Sequence, residues 1–177
     1  MMEIARLSRG DAPAYRALML EAYEAHPDAF TSSPAERAAL PLTWWESWLL
    51  ALDSAPEAVL GAMDSTGLCG AVGLSFEPRE KTSHKATLFG MYVLPDHRQR
   101  GLGGDLVRAA IALARARPGV RVVQLTVTHG NLAAQGLYER FGFQVFGIEP
   151  LAVCVAGSFV QKVHMWLDLD SRPGDSA

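Results

Sequence analysis

The hydrophobic and polar positions in the first half of the 177-residue chain follow two spacings. Apolar residues recur at helical spacing over 10–26 and 42–53, which predicts two helices. The proline-rich stretch 27–41 between them predicts a loop with room for one helical turn. The alternating pattern over 2–7 predicts a short strand, and the apolar runs over 57–76 predict a hairpin around a DSTG turn.

The second half of the chain alternates strand and helix patterns. Its predicted elements are a strand over 84–94, a helix from 103 to 117, a strand over 120–127, a helix over 131–141, a strand over 142–148, a loop over 149–157 and a strand over 158–169. Early hairpins and late strand–helix–strand units predict a mixed α/β sheet of about seven strands flanked by about four helices. We expect a single domain over 1–170 and a frayed tail over 171–177.

Composition and charge exclude several classes of function. Nearly half of the residues are apolar and a fifth are charged, which is typical of a globular domain. The formal net charge of −3 provides no global positive field for nucleic acid or for an anionic membrane surface. No apolar stretch approaches the roughly 18 residues of a membrane span, and the start shows no signal-peptide pattern. A cytosolic location is therefore expected.

The cysteines and histidines predict no metal site. Cys69 and Cys154 lie far apart in the sequence, without CxxC spacing or clustered histidine ligands. Neither a disulfide framework nor a zinc site is therefore expected.

The stretch PDHRQRGLGGDL, residues 95–106, places three glycines and two arginines where a predicted strand leads into a predicted helix. The first amides of a helix lack intrahelical partners and carry partial positive charge, and glycine lets a bulky anion approach them closely. Gly101, Gly103 and Gly104 therefore predict a phosphate cradle. A tight turn with solvated arginines is the alternative.

Two familiar phosphate-binding patterns do not fit this stretch. A P-loop requires Lys and then Ser or Thr after its last glycine, but Gly103 is followed by Gly104 and Asp105. A dinucleotide fingerprint requires a third glycine at the position of Leu106. The anion bound here is thus not that of either motif.

Two signatures carry a resemblance to a known family. MYVLPDHRQRGLGGDLVRAAIALAR, with Arg98, Gly101 and Gly103 in the order R-x-x-G-x-G, resembles the acyl-CoA pyrophosphate loop of the GCN5-related N-acetyltransferase (GNAT) superfamily. LTVTHGNLAAQGLYERFGF is similar to that superfamily's second signature, and the two stretches fall within the 60 residues 84–143. The resemblance implies a twisted, mostly antiparallel sheet that is splayed between its fourth and fifth strands and binds acetyl-CoA.

The resemblance also implies which residues bind the cofactor. The pantetheine arm is expected between the splayed strands, beside Met91, Tyr92 and Val93, and Gly90 suits a bulge in that strand. The residues implied to hold the pyrophosphate are Arg98, Gln99, Arg100, Gly101, Gly103 and Gly104.

Three further residues share one face of the helix predicted after 130. Asn131, Ala134 and Tyr138 are implied to contact the arm of the cofactor, with the Tyr138 hydroxyl protonating the departing thiolate. Tyrosine suits this function because its ordinary pKa of about 10 keeps it protonated at neutral pH. The alternatives are that Asn131 only caps the helix and that Tyr138 only packs in the core.

The general base is not identified by the resemblance. Some family members carry a glutamate in the fourth strand at the place where Thr87 stands. An amine must lose a proton before it attacks, so Glu77, His84 and a chain of water molecules are candidates. Catalysis without a dedicated base also stays open.

The acceptor site is expected in the variable parts of the chain. These are the region around the second helix, with Trp44, Trp45 and Glu46, and the loop 149–157. The candidates for substrate contact are Phe30, Trp45 and Glu77. The tryptophans could line a pocket or pack in the core, and core packing is favoured for at least two of them.

The resulting prediction is an enzyme that transfers acetyl from acetyl-CoA directly to a primary amine of a small metabolite. A protein or peptide N-acetyltransferase and a non-catalytic acyl-CoA-binding module are the alternatives. An enzyme acting on aminoacyl-tRNA is disfavoured by the acidic balance. No nucleic-acid or membrane partner is expected, and a homodimer is possible because dimers are common in the family.

Overall fold

The computed structural model describes residues 2–171, which form one seven-stranded sheet and five α-helices. The strands are β1 (Glu3–Arg6), β2 (Glu57–Asp64), β3 (Gly67–Phe76), β4 (Lys85–Val93), β5 (Val122–Thr128), β6 (Gln144–Val155) and β7 (Ser158–Asp168). The helices are α1 (Ala12–Ala25), α2 (Pro34–Ala38), α3 (Leu42–Ser47), α4 (Leu102–Ala116) and α5 (Leu132–Arg140). The predicted mixed sheet of seven strands is confirmed, and α2 is the extra helical turn of the proline-rich loop.

The strand order β1-β2-β3-β4-β5-β7-β6 makes every neighbouring pair antiparallel except β4 and β5. Apolar side chains pack on both faces of the sheet. One core contains the buried face of α4 together with Tyr138 and Phe143, and the other contains α1 with Trp45 and Leu49. The helical spacing of apolar residues in α1 and α4 therefore corresponds to two different faces of one sheet.

The parallel strands β4 and β5 are paired over a short stretch only. Their register joins Lys85–Thr87 to Val122–Gln124, and no pairing between the two strands follows it in the described chain. Farther along, the register of β4 against β3 shifts, and Gly90 has a φ of +60°. The splay and the bulge are thus both confirmed, and they leave the facing backbone edges of β4 and β5 without a strand partner.

The prediction that the second helix extends to residue 53 is wrong, because α3 ends at Ser47. The carbonyls that would continue it accept hydrogen bonds from distant arginines. Arg6 Nη2 donates to the oxygens of Leu50 and Leu52 at 3.0 and 2.8 Å, and Arg117 Nη1 donates to the oxygens of Asp53 and Ala55 at 2.7 and 2.8 Å. Tertiary bonds replace the helical ones here.

The prediction of a loop over 149–157 is also wrong, because β6 continues to Val155. The register against β7 shifts between Glu149 and Val153, and the resulting irregularity contains Pro150 and Leu151, whose φ is +52°. Proline is tolerated in an edge strand at such a bulge. The β6–β7 connection is the tight turn Ala156–Gly157, in which both residues have positive φ.

The frayed tail predicted over 171–177 lies outside the described residues, apart from Ser171. Cys69 is buried and Cys154 is exposed, and both thiols are free. Within residues 2–171, no helix has the length and apolar character needed to cross a membrane.

Candidate active site

The N-terminus of α4 forms the glycine-rich loop predicted from the sequence. Gly101 is the N-cap residue in the left-handed conformation, with a φ of +79°, and Gln99 also has a positive φ of 61°. The first helical hydrogen bond runs from the Asp105 amide to the Gly101 oxygen at 3.0 Å. The amides of Leu102, Gly103 and Gly104 precede that bond, so they are available to an anion.

Arg98 connects this loop to the end of β4. Its Nε donates to the Val93 oxygen at 2.9 Å, and its Nη2 donates to Nε2 of His26 at 3.3 Å. Its guanidinium carbon lies 5.3 Å from the centroid of the Tyr92 ring. Arg98 therefore fixes the loop, whereas the side chain of Arg100 is exposed and free to reach a phosphate.

A cavity of about 320 Å³ lies between the splayed strands β4 and β5, and we call it the arm slot. It is lined by Ala29, Phe30, Thr31, Thr87, Leu88, Phe89, Gly90, Met91, Thr126, Val127, Thr128, Asn131, Ala134, Leu137, Tyr138 and Lys162. A Cβ placed on Gly103 would lie 3.5 Å from Met91 Cε and 3.6 Å from Leu137 Cδ2. The glycine loop therefore opens directly beside the slot.

Helix α5 presents the predicted face to the arm slot. Asn131 caps the helix, because its Oδ1 accepts a hydrogen bond from the Ala134 amide at 3.1 Å, and it also lines the slot. Ala134 and Tyr138 line the same wall. Capping thus leaves Asn131 in place to contact a ligand, so the two interpretations of this residue are compatible.

Tyr138 lies at the boundary between the core and the arm slot. It is 5% exposed, and its ring packs edge-to-face on Phe143 with a centroid separation of 5.6 Å. Burial raises the pKa of the Tyr138 hydroxyl well above its usual range. The side chain therefore keeps its proton at neutral pH.

Of the predicted arm partners in β4, Met91 lines the arm slot. Tyr92 is buried, and its hydroxyl donates to Glu21 Oε1 at 3.1 Å. Tyr92 and Met91 also line an outer cleft of about 500 Å³ with His26, Asp28 and His129. Val93 is half-buried and supports the loop through its carbonyl bond to Arg98. Contact of these three residues with a cofactor stays a prediction.

A second cavity, of about 370 Å³, adjoins the arm slot, and we call it the aromatic cavity. Its walls are Tyr15, Met19, Tyr23, Phe30, Thr31, Ser32, Arg37, Trp44, Trp45, Trp48, Ser75, Thr87, Phe89 and Gly90. Five residues line both cavities: Phe30, Thr31, Thr87, Phe89 and Gly90. The two cavities therefore meet at the β4 bulge.

The aromatic cavity contains two of the three predicted substrate residues, Phe30 and Trp45. All three tryptophans of the α3 region line it, although Trp45 is also fully buried in the core. Core packing for at least two of them is confirmed, because Trp45 is a core residue and the half-buried Trp44 packs against the same core, while Trp48 is half-buried in the cavity wall. The Trp44 and Trp48 rings are tilted by 54° relative to each other, with their centroids 5.5 Å apart.

Glu77 and His84 lie outside both cavities. Glu77 follows the last residue of β3, His84 precedes β4, and both side chains are exposed. Neither residue lies at the junction of the two cavities. Glu77 lies after the end of β3 and His84 before the start of β4, whereas Thr87, which lines both cavities, lies inside β4. The segment 149–157 is also remote: Pro150 and Leu151 line a separate cavity of about 420 Å³.

The site thus combines a glycine loop at a helix N-terminus, two splayed parallel strands and an adjoining second cavity. The sequence model of the acetyltransferase (GNAT) family matches residues 15–143. The chain belongs to this family. The match spans β4, α4, β5 and α5, which together build the glycine loop and the arm slot.

Curated relatives within the GNAT family share part of the chain. It is 38% identical over 80 residues to the L-methionine sulfoximine/L-methionine sulfone acetyltransferase of Pseudomonas aeruginosa, covering 45% of this chain and 46% of that protein. It is 31% identical over 136 residues to the mycothiol acetyltransferase of Salinispora arenicola, covering 75% of this chain and 41% of that protein. The chain therefore spans less than half the length of these relatives.

A solved structure supports the GNAT fold over the whole chain. The Salmonella typhimurium protein yncA, solved with its cofactor acetyl-CoA, superimposes with a TM-score of 0.79 at 22% identity. The superposition covers 100% of this chain and 99% of that one. At this identity, the likeness concerns the fold alone.

Two residues of this chain that line the cavities in unusual environments were not predicted from the sequence. Arg37 lines the aromatic cavity, and Lys162 lines the arm slot with 4% exposure. Lys162 lies beside apolar positions of β7, but a single lysine in an alternating strand does not by itself indicate burial. Arg37 lies in a proline-rich loop, where a solvated arginine is the usual case.

Lys162 connects the sheet to the chain segment that follows α1. Its Nζ donates to the backbone carbonyl oxygen of Asp28 at 2.8 Å and to Thr128 Oγ1 at 3.1 Å. Thr128 Oγ1 donates to the same carbonyl oxygen at 3.0 Å. Burial lowers the pKa of the Lys162 ammonium, while the carboxylates of Asp28 and Glu149 oppose this shift. The cluster holds Ala29 and Phe30 against the arm slot.

We expect Lys162→Met to weaken acetyl-CoA binding by about tenfold, because losing two charge-assisted bonds loosens the segment that lines the slot. Methionine keeps the length of the side chain, so the fold should persist. Calorimetry measures the affinity, and hydrogen exchange of residues 28–31 measures the loosening. Exchange and affinity equal to those of Lys81→Met, a change at an exposed lysine, would contradict this function of Lys162.

Proposed function

We propose that this chain is an N-acetyltransferase that transfers acetyl from acetyl-CoA to a primary amine of a small metabolite. The observation that carries the proposal is the junction at the Gly90 bulge, where the arm slot meets the aromatic cavity. A cofactor arm in the slot and an amine in the cavity would approach each other at this point. Such positioning is itself a large part of the catalysis of a reaction between two substrates.

The residues of the glycine loop fit the pyrophosphate of acetyl-CoA. Gly103 and Gly104 carry no side chain of their own that would hinder an anion at their amides, and the dipole of α4 adds positive potential. Arg100 adds a mobile charge, and Gln99 contributes to the left-handed turn of the loop. The open edges of β4 and β5 offer amide and carbonyl groups to the arm, with Asn131 and Ala134 on the opposite wall.

Bound acetyl-CoA supplies an activated acetyl group that an amine can take up directly. Tyr138 holds a proton on its hydroxyl beside the arm slot and gives it to the thiolate that leaves. Burial raises the pKa of the Tyr138 hydroxyl, so the hydroxyl is protonated at neutral pH. The backbone at the β4 bulge orients the reacting carbonyl.

Removal of the amine proton takes place without a side-chain carboxylate or imidazole at the aromatic cavity. Among the residues described as lining it, only hydroxyl groups, indoles, one thioether and one guanidinium are polar or polarisable. Transfer of an ammonium into such apolar walls favours its neutral form. The acceptor therefore enters as the free amine or loses its proton through water held by Thr87 and Ser75.

The experiment that tests this function is an amine panel assayed by thiol release from acetyl-CoA. The panel includes L-methionine sulfone and L-methionine sulfoximine, the two compounds in the name of one relative, together with simple amines and short peptides. Release that depends on an amine supports the proposal, and release with peptides alone supports the protein acetyltransferase instead. Tight acetyl-CoA binding without release by any amine would indicate a binding module. The cytosolic location and the homodimer stay predictions.

A further inference from the structure

Arg37 is the single charged residue among the described walls of the aromatic cavity. Its Nε is buried without a hydrogen-bond partner, and Arg37 forms no ion pair within residues 2–171. The indole Nε1 of Trp45, on the same cavity, is also buried without a partner. Both groups can only donate hydrogen bonds. Two residues of the cavity wall therefore each carry a buried donor for which the described chain provides no acceptor.

The guanidinium of Arg37 is held in place by packing. Its carbon lies 4.5 Å from the centroid of the Trp44 ring. Stacking of this kind occupies the face of the guanidinium and leaves its in-plane N–H groups available. Arg37 thus meets a ligand as a preorganised fork.

The short helix that carries Arg37 is unusually well fixed for five residues. Ser33 Oγ accepts from the Glu36 amide at 3.2 Å, and Glu36 Oε2 accepts from the Ser33 amide at 2.8 Å. Arg16 Nη2 donates to the Ala38 oxygen at 3.0 Å, which ties α2 to α1. The carboxylate of Glu36 is therefore occupied at the cap and is not the partner of Arg37.

An unpartnered buried donor is costly, and a cationic one costs more than a neutral one. The hydroxyls of Tyr15 and Tyr23 stay neutral, because burial raises the pKa of each and the charge of Arg37 only partly opposes this. They cannot neutralise the guanidinium. An anionic oxygen group on the ligand is the partner that would remove the cost, and a carboxylate matches the planar fork with two parallel bonds.

We propose that the acceptor is an amine that also carries a carboxylate, and that Arg37 is the specificity-determining residue that binds this carboxylate. This inference rests on the proposed acetyltransferase function and specifies its substrate class. The volume of about 370 Å³ lies at the small end of ligand cavities, which favours a molecule of amino-acid size. The carboxylate lies at Arg37, the amine at the Gly90 bulge, and the aromatic walls take the side chain.

The test compares acids with their matching carboxamides, which keep the shape and remove the charge. The acceptors are L-methionine sulfone, L-phenylalanine and the carboxamide of each. The variants are Arg37→Gln, Arg37→Lys and Arg9→Gln, the last of which removes the same charge at an exposed residue outside the cavities. Circular dichroism and acetyl-CoA affinity, which should equal those of the unaltered protein, report that the fold and the arm slot are intact.

We expect the unaltered protein to prefer the acids. Arg37→Gln should raise KM for the acids by roughly 10- to 100-fold, with a smaller change in kcat, because a charge-assisted bidentate contact is lost. It should change the carboxamide reactions little. Arg37→Lys should have a KM for the acids between those of the unaltered protein and Arg37→Gln, since lysine restores the charge without the fork. Arg9→Gln should have the KM of the unaltered protein.

The outcomes separate this inference from the function on which it rests. Acetyl transfer whose preference for acids does not depend on Arg37 would overturn the inference and leave the acetyltransferase function standing. Calorimetric binding of an acid that depends on Arg37, without any acetyl transfer, would support the carboxylate site and overturn the function. If no acid in the panel binds or reacts, or if carboxamides are preferred, the carboxylate proposal is wrong.

Discussion

We expect Gly103→Asp to raise the Kd for acetyl-CoA by at least about 100-fold. The new carboxylate would stand at the first turn of α4, beside amides that precede the first helical hydrogen bond. Two like charges about 4 Å apart repel by about 4 kcal/mol at a protein surface, which exceeds a 100-fold change in affinity. Calorimetric titration with acetyl-CoA measures the loss.

The fold should survive this substitution. Gly103 is not among the residues with positive φ, and its Cβ would make ordinary contacts at 3.5 Å with Met91 Cε and 3.6 Å with Leu137 Cδ2. An acidic residue in the first turn complements the helix dipole, and loss of glycine reduces the entropy of the unfolded chain. The thermal midpoint should therefore stay equal or rise.

The matched control is Gly103→Asn, which has the same shape without the charge. We expect Asn to weaken acetyl-CoA binding much less than Asp, because crowding alone remains. Gly101 is unsuitable for this comparison, since its φ of +79° would strain any other residue. Equal affinity of the Asp variant and the unaltered protein would show that the pyrophosphate does not lie on these amides.

Tyr138→Phe should lower kcat by about 100-fold with little change in acetyl-CoA affinity, because a general acid contributes about 10²- to 10⁴-fold to a rate. The Phe ring retains the edge-to-face contact with Phe143. Stability should therefore hardly change. Thiol-release kinetics with the best amine of the panel measure the effect, and equal kcat would mean that Tyr138 only packs in the core.

The pH profile provides a second measurement of Tyr138. Burial raises its pKa above the ordinary value of about 10, so the acid form persists through the alkaline range in which amines lose their protons. The kcat of the unaltered protein should rise with pH and show no fall from Tyr138 below about pH 10. A fall near pH 8 would assign the acid to another group.

The cofactor side of the site could be predicted because its residues are close in the sequence. The residues of the glycine loop follow β4 directly and open α4, so one local pattern specifies the left-handed turn at Gly101 and the free amides after it. Asn131, Ala134 and Tyr138 share a helix face by spacing alone. Helix periodicity carries this information without any knowledge of the sheet.

The acceptor side could not be predicted in the same way, because distant segments build it. Arg37 reaches the aromatic cavity only because α2 is tied to α1 and stacked on α3, and Lys162 meets a carbonyl 134 residues away. Arg117 likewise captures carbonyls beyond α3 at a sequence separation of more than 60 residues. A local pattern contains no information about such contacts.

By itself, the sequence determined the element order, the mixed sheet, the glycine loop at α4 and the helix face of Asn131 and Tyr138. These features follow from periodicity, turn chemistry and helix ends, which act within a few residues. The tertiary structure alone decided where α3 ends, how far β6 extends, that Glu77 and His84 lie away from the cavities, and that Arg37 has no ion-pair partner within residues 2–171. Each of these depends on strand pairing or on polar groups that find partners, or lack them, only after the chain has packed.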